Sequence, residues 1–246
     1  MIVVSVSLYG DKPEYIIGAR DVLRVLKEFS QVQLHIYHDD TVPRAAIEAL
    51  TQEGAIMQDM TPFNHIYRGE LRAFWRFLPC TSYPCVLVTD TDSTIDQFRQ
   101  DLALTLPLLR NKMKTGVAEL WGWPTEYKTY GKQHVSFSGS WFASINLDKL
   151  KDLDDIVDQI ESYLATYAAP LKYRFPKDKR LKDRFENMYG HDEVFLHRFA
   201  QAALRAGANV EFWDDGSILN REEKDRREWQ LSAIGLCRSR RVCRKR

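Results

Sequence analysis

Two carboxylates one residue apart, Asp90 and Asp92 in "VLVTDTDSTI" (87 to 96), follow directly on a run of apolar residues. At the end of a strand, carboxylates at i and i+2 can place oxygens on one octahedral Mg2+ or Mn2+, directly or through water, and leave sites for phosphate oxygens. The same pattern suits a phosphoryl group attacked by Asp90, or a strand end that is merely solvated. Spacing alone does not choose among these. "DLD" at Asp152 and Asp154 repeats the pattern in a stretch whose periodicity predicts the middle of a helix. Three further groups carry chemistry. Arg72 and Arg76 stand one helical turn apart in "RGELRAFWRFLP", so on an α-helix their guanidinium forks would share a face, toward an anion or toward solvent. Asp192 and Glu193 open a predicted helix in "YGHDEVFL", where carboxylates are favoured near the helix N-terminus in any protein. His191 beside them is either a contact for phosphate or metal or a structural imidazole.

The elements that must position these groups alternate between strand and helix through the first half. "IVVSVSL" (2 to 8), "VQLHIY" (32 to 37), "AIMQDM" (55 to 60) and "CVLVT" (85 to 89) read as strands. Helices follow the first two, the second over 43 to 54 and stopped at Gly54, and another carries Leu71, Phe74, Trp75 and Leu78. Such βαβα alternation predicts an α/β fold with a mainly parallel sheet flanked by helices. Ligands of these sheets bind beyond the carboxyl ends of the strands, where residues 7–10, 38–40 and 90–93 converge. That placement, rather than the spacing, separates Asp90 and Asp92 from "DLD". Further on, "GVAELWGW" (116 to 123) predicts a strand, and "VSFSGSWFASI" (135 to 145) one interrupted at Ser138, Gly139 and Ser140. A long amphipathic helix is expected from an N-cap at Asn146 to about Tyr167, a mobile basic loop over 170–185, a helix over 192–206 and a closing strand "NVEFW". The predicted organisation is one domain over 1–220 and a charged, basic tail over 221–246.

Composition narrows the class. With 44% hydrophobic residues in 246, the chain can fill a sizeable core. The net charge of +1 conceals a split, because residues 237–246 carry six positive charges and leave −5 on the rest. A slightly acidic body argues against nucleic acid as a partner, while the basic tail could hold an anionic membrane surface. No stretch approaches a spanning helix, and the N-terminus lacks the features of a signal peptide, so a cytoplasmic protein is expected, with peripheral membrane attachment as an option. Cys80, Cys85, Cys237 and Cys243 are spaced too widely for CxxC motifs and read as free thiols.

In order and approximate spacing, "SLYGDKPEYIIGA", "YHDDTVP", "RGELRAFWRFLP", "TDTDS" and "YGHDEVFL" make the chain resemble the GT-A fold glycosyltransferases with a DxD motif, particularly the short algal-virus and bacterial enzymes. The resemblance covers about residues 2–215. It implies a Rossmann-like single domain and transfer of a sugar from a nucleoside-diphosphate donor, UDP or GDP type, to a glycan acceptor, with Mn2+ or Mg2+ as cofactor. It implies donor contacts from Ser7, Leu8, Tyr9, Asp39, Arg72, Arg76, Asp90, Thr91, Asp92 and Gly139. Metal contacts would come from Asp90, Asp92 and His191, with Asp92 the direct ligand. Asp192, or else Glu193, would take the acceptor proton. "SGSWFAS" matches the family's glycine-rich segment loosely.

Two other readings stand beside this one. The same signature, with Thr94, and "VEFWDDG" with Asp214 and Asp215 also fit a haloacid-dehalogenase-type phosphatase in which Asp90 is the nucleophile. That signature usually opens its fold, whereas at least two βα units precede it here. The third reading is a non-catalytic nucleotide-sugar binding module.

Overall fold

The computed structural model describes residues 1–64, 69–129, 132–174 and 191–213. Its centre is a sheet of seven strands: β1 (Ile2–Leu8), β2 (Val32–His38), β3 (Ile56–Asp59), β4 (Cys85–Thr89), β5 (Glu119–Thr129), β6 (Lys132–Ile145) and β7 (Asn209–Phe212). Their order is β3-β2-β1-β4-β6-β5-β7. β1 lies parallel to β2 and β4, β2 to β3, and β5 to β7, while β6 runs antiparallel to both β4 and β5. This is the mixed, mainly parallel sheet flanked by helices that the sequence predicts.

Period-two alternation divides the core between the two faces. Val3, Val86 and Val88 point to one side, against Phe74, Trp75 and Phe77 of the 3-10 helix Gly69–Thr81, and against α4 (Ile156–Arg174) and α5 (His191–Arg205). Val4, Val6 and Leu87 point to the other, against α1 (Pro13–Leu26), α2 (Arg44–Gln52) and α3 (Ile95–Thr115). At the far edge, four indoles form a row: Trp141 on Trp123, Trp123 on Trp213 and Trp213 on Trp121, each pair with ring centroids 5.5 Å apart. Both faces of Trp123 and Trp213 are covered by neighbouring rings, so the row fastens β7 to the sheet and leaves no face there to stack a ligand. Lys112 on α3 joins the same edge by bridging Glu119 of β5 and Glu211 of β7.

Several elements differ from expectation. The helix over 69–81 is 3-10 throughout, with Pro79 inside it. The predicted helix from Asn146 divides: Asn146 is left-handed (φ 53°), a short 3-10 turn spans Leu147–Lys149, and α4 starts at Ile156, where Asp155 Oδ1 accepts from Val157 N at 2.8 Å. Asp152 and Asp154 therefore lie in the turn before α4, not within a helix. α4 also continues to Arg174, into the stretch expected as a loop. α3 is an element the sequence reading did not anticipate. It is capped by Thr94, whose Oγ1 accepts from Gln97 N, and it ends at Gly116 with φ 73°. Residues 175–190, Asp214, Asp215 and the tail, with Cys237 and Cys243, lie outside the described residues; Cys80 and Cys85 are free and buried. Among the described residues no helix is long and apolar enough to cross a membrane.

Candidate functional site

The carboxyl ends of β1 and β4 open into a cavity of about 360 Å³. Beyond β4 the chain turns through Asp90, Thr91 and Asp92 into the α3 cap, with Thr91 buried and Asp92 exposed on the cavity wall. Thr91 is seated against α1. A Cβ at Gly18 would overlap the Thr91 carbonyl, so the glycine permits helix and loop to touch.

Arg76 organises the floor. The residue is 7% exposed. Nη1 donates to Asp90 Oδ1, and Nη2 donates to Asp192 Oδ2 at 2.6 Å. Ser7 sets the backbone beneath: its Oγ accepts from Arg76 N at 2.9 Å and donates to Ala73 O at 3.3 Å. Arg72 points elsewhere, its Nε 2.9 Å from Asp39 Oδ2 in an ion pair not aligned as a hydrogen bond. The 3-10 winding accounts for the divergence. At three residues per turn, positions i and i+4 are about 120° apart around the axis rather than on one face. Arg72 and Arg76 thus serve different partners, in two separate sets of ion pairs.

Asp39 is fully buried, and its Oδ1 accepts from Thr41 N at 3.1 Å and from Thr41 Oγ1. Its carboxylate fixes the turn after β2 and is not on the cavity wall, where a ribose contact would need it. Leu8 is likewise buried in the sheet. Tyr9 is half-buried on the wall, edge-on to Trp75 at 6.2 Å, and Tyr15 from the first turn of α1 adds a second aromatic surface.

The opposite wall comes from β6 and α5. Between Gly122–Phe142 and Pro124–Phe137 the β5–β6 register shifts, so residues 138–141 leave the ladder with β5. Ser138 and Ser140 reach the cavity, their hydroxyls 2.7 Å apart. Gly139 lies against the Arg76–Asp192 pair, since a Cβ there would stand 2.7 Å from Arg76 Nη2. Asp192 and Glu193 enter from the start of α5, held to β6 by Ser136 Oγ, which donates to Glu193 O at 2.7 Å. His191 is engaged by α4: its Nδ1 is 3.0 Å from Tyr163 Oη, and burial lowers its pKa. Among the described residues, no group of three or more His, Cys, Asp or Glu side chains is arranged to hold a metal ion.

The carboxylates are electrostatically distinct. Burial drives Asp90 upward against the opposing pull of Arg76, with a net rise. Burial also acts on Asp192, but the Arg76 charge and hydrogen bonds outweigh it and hold the carboxyl below its ordinary value. Glu193, lacking such a partner, is pushed up to about 8 by burial and by its ionised neighbour Asp192. Within the pair a proton is therefore favoured on Glu193 over Asp192. The cavity wall thus sets Asp90, Asp92, Asp192 and Glu193 around a single guanidinium, that of Arg76.

Sequence reasoning had no specific signal for Thr125 on this wall. Tyr15 entered it solely as an apolar helix position, and Ser138 and Ser140 as an interruption in a strand. That interruption was the available signal, because a break in alternation opposite a glycine marks where a strand leaves its ladder.

The chain matches no protein-family model and no curated protein sequence. Solved structures to which it is similar include glucosyl-3-phosphoglycerate synthase of Mycobacterium tuberculosis, at 16% identity over 97% of this chain and 82% of that one, with a TM-score of 0.41. The same enzyme in complex with uridine diphosphate aligns at 15% identity over 97% and 82%, with a TM-score of 0.39. Mouse xyloside xylosyltransferase 1, in its apo form, aligns at 12% identity over 87% and 84%, with a TM-score of 0.33.

Proposed function

We propose that the chain is a glycosyltransferase moving a sugar from a nucleoside diphosphate, of UDP or GDP type, to a hydroxyl of a glycan acceptor, with Mn2+ or Mg2+ as cofactor. The observation that carries this reading is the cavity at the ends of β1 and β4. It joins two tyrosine rings, an exposed Asp92 beside Asp90, and a carboxyl pair on the facing wall.

The donor set fits such a cation in one specific sense. Mg2+ and Mn2+ sites completed by substrate phosphates need one or two protein carboxylates, and Asp90 and Asp92 supply two on the cavity wall. Asp92 would be the direct ligand, and Asp90, whose Oδ1 is engaged by Arg76, would contribute through its other oxygen or a water. When bound, the cation would stabilise negative charge on the departing diphosphate. Tyr9 and Tyr15 would flank the nucleobase. Ser138 and Ser140 would hydrogen-bond the donor sugar from either side of Gly139, whose missing side chain admits the Arg76–Asp192 pair.

In the transfer, the bond between the anomeric carbon and the diphosphate oxygen breaks, its electron pair leaving with the diphosphate. A bond forms to the acceptor oxygen, whose proton passes to the α5 carboxyl pair. Asp192, paired with Arg76, is a weak base. Glu193 is the stronger base once ionised, because burial favours its protonated form. A phosphatase with Asp90 as nucleophile is less well served, since Asp90 is bound by Arg76 and Thr94 is spent on capping α3.

A panel of nucleotide sugars tested for thermal stabilisation with and without Mn2+ checks the donor reading. UDP- or GDP-sugars should stabilise the protein in a cation-dependent way that Asp92→Ala abolishes. Stabilisation by none, or indifference to Asp92→Ala, overturns it.

A further inference from the structure

We propose that Arg76 is a positioning residue that couples the cation and donor side of the cavity to the acceptor side. It would do so by sharing one guanidinium between Asp90 and Asp192. The inference rests on the donor-site reading and concerns how its two halves communicate.

The geometry is that of a buried fork with one arm on each wall. Nη1 is on Asp90, at the end of β4, and Nη2 on Asp192, in the first turn of α5, residues 102 positions apart in the chain. The guanidinium is held from below by the Phe77 ring at 5.3 Å, while Ser7 fixes the backbone of Arg76. Its Nε is buried and has no hydrogen-bond partner, so its direct contacts with carboxylates run through Nη1 and Nη2. Gly139 closes the cage beside Nη2 and Asp192, leaving no room for the pair to swing toward β6.

A charge shared in this way makes the two carboxylates compete for it. A cation that draws on Asp90 weakens the Nη1 contact and leaves more of the guanidinium to Asp192, fixing the acceptor-side carboxylate once the donor is in place. Removal of the Asp192 charge leaves the fork to Asp90 alone, which then yields less readily to the cation. The effect is reciprocal, as any equilibrium coupling between two sites must be. Lysine in place of Arg76 keeps the charge but offers a compact ammonium instead of a planar fork, and so cannot hold both walls in the same way.

The test is a double-mutant cycle read by binding rather than turnover. Dissociation constants for Mn2+ with UDP, and for Mn2+ with GDP, are measured by calorimetry and Mn2+ electron paramagnetic resonance. The proteins are wild type, Asp192→Asn, Arg76→Lys and the double variant, each verified as folded by circular dichroism. In the wild-type background Asp192→Asn should weaken binding about threefold to tenfold, and in the Arg76→Lys background it should change it by less than about twofold. An equal loss in both backgrounds, the signature of plain charge acting through space, overturns the coupling. Should Arg76→Lys not fold, Gly139→Ala replaces it, because its added Cβ displaces the Arg76–Asp192 contact without altering any charge, and the same loss of coupling is expected. If wild type binds neither nucleotide with Mn2+, the donor-site reading falls and this inference with it. Normal wild-type binding with additive substitutions overturns this inference alone.

Discussion

Gly18→Ala is a small change with a large expected consequence. The residue lies in α1 where the helix meets the Asp90–Asp92 loop, and a Cβ there would overlap the Thr91 carbonyl oxygen, with the carbonyl carbon 2.7 Å away. The nearest atom, the Thr91 carbonyl oxygen, would stand 1.6 Å from that Cβ, where real Cβ atoms keep at least 3.0 Å, so helix and loop must separate by more than about 1 Å. α1 is anchored by buried Ala19, Val22 and Leu23, whereas Asp92, Ser93 and Thr94 are exposed, so the loop is the part that yields. In stability two effects oppose. Alanine gains about 1 kcal/mol over glycine within a helix, and overpacking costs about 1–3 kcal/mol, leaving a net loss of about 0–2 kcal/mol. In function there is no such offset, because a 1 Å displacement of a positioned group can cost about 100-fold in rate. Urea unfolding and donor turnover, measured on one preparation, separate the two. The expected result is a folded protein with turnover reduced on the order of 100-fold and weakened Mn2+–nucleotide binding. A folded variant with wild-type turnover and binding would refute the claim that α1 sets the position of this loop.

Glu193 gives a pH signature in stability. Its carboxyl is raised from 4.5 to about 8 in the folded protein, so the unfolded chain releases its proton first and the stability associated with the protonated group is lost as pH rises from about 4.5 through 8. Glu193→Gln should therefore gain in unfolding midpoint over wild type between pH 5 and pH 8, and parallel curves for the two proteins would contradict the assignment. Lys112→Met should cost about 2 kcal/mol in urea unfolding, because it leaves the carboxylates of Glu119 and Glu211 facing each other without their shared cation. Mn2+–nucleotide affinity should be unchanged in that variant, and a matching loss of affinity would show that this edge of the sheet shapes the cavity.

The half of the site built on β1 and β4 was legible in the sequence because strand ends are local. An apolar run stops and polar residues begin, and βα alternation brings those ends to one edge. The partners of Arg72 and Arg76 were not legible. Their i, i+4 spacing has one meaning on an α-helix and another on a 3-10 helix, and "RGELRAFWRFLP" contains nothing that declares the tighter winding. Asp39 shows a related limit, since a carboxylate in a polar turn after a strand reads alike whether it faces a ligand or is spent on Thr41 and Arg72. α3 was obscured by its own composition: Leu104 and Leu108 are exposed beside buried Leu102, Leu106 and Leu109, and Pro107 stands mid-helix, so the apolar stripe is blurred. At Asn146 the reverse holds, since apolar residues at helical spacing run on through a left-handed residue and a turn. The comparison of Asp90 and Asp92 with "DLD" consequently rests on distance from the sheet edge rather than on helix against loop. The Asp192–Arg76 contact joins residues 116 positions apart, and no local pattern encodes it.

The central claim concerns which bond is broken, and identification of the products from one incubation tests it most directly. The protein is incubated with a UDP- or GDP-sugar, a glycan acceptor panel and Mn2+, and the mixture is resolved by mass spectrometry, with Asp92→Ala in parallel. The account predicts a nucleoside diphosphate and an acceptor heavier by one sugar residue, both absent with Asp92→Ala. Inorganic phosphate with a phosphorylated Asp90, or intact donor bound without any product, would contradict it.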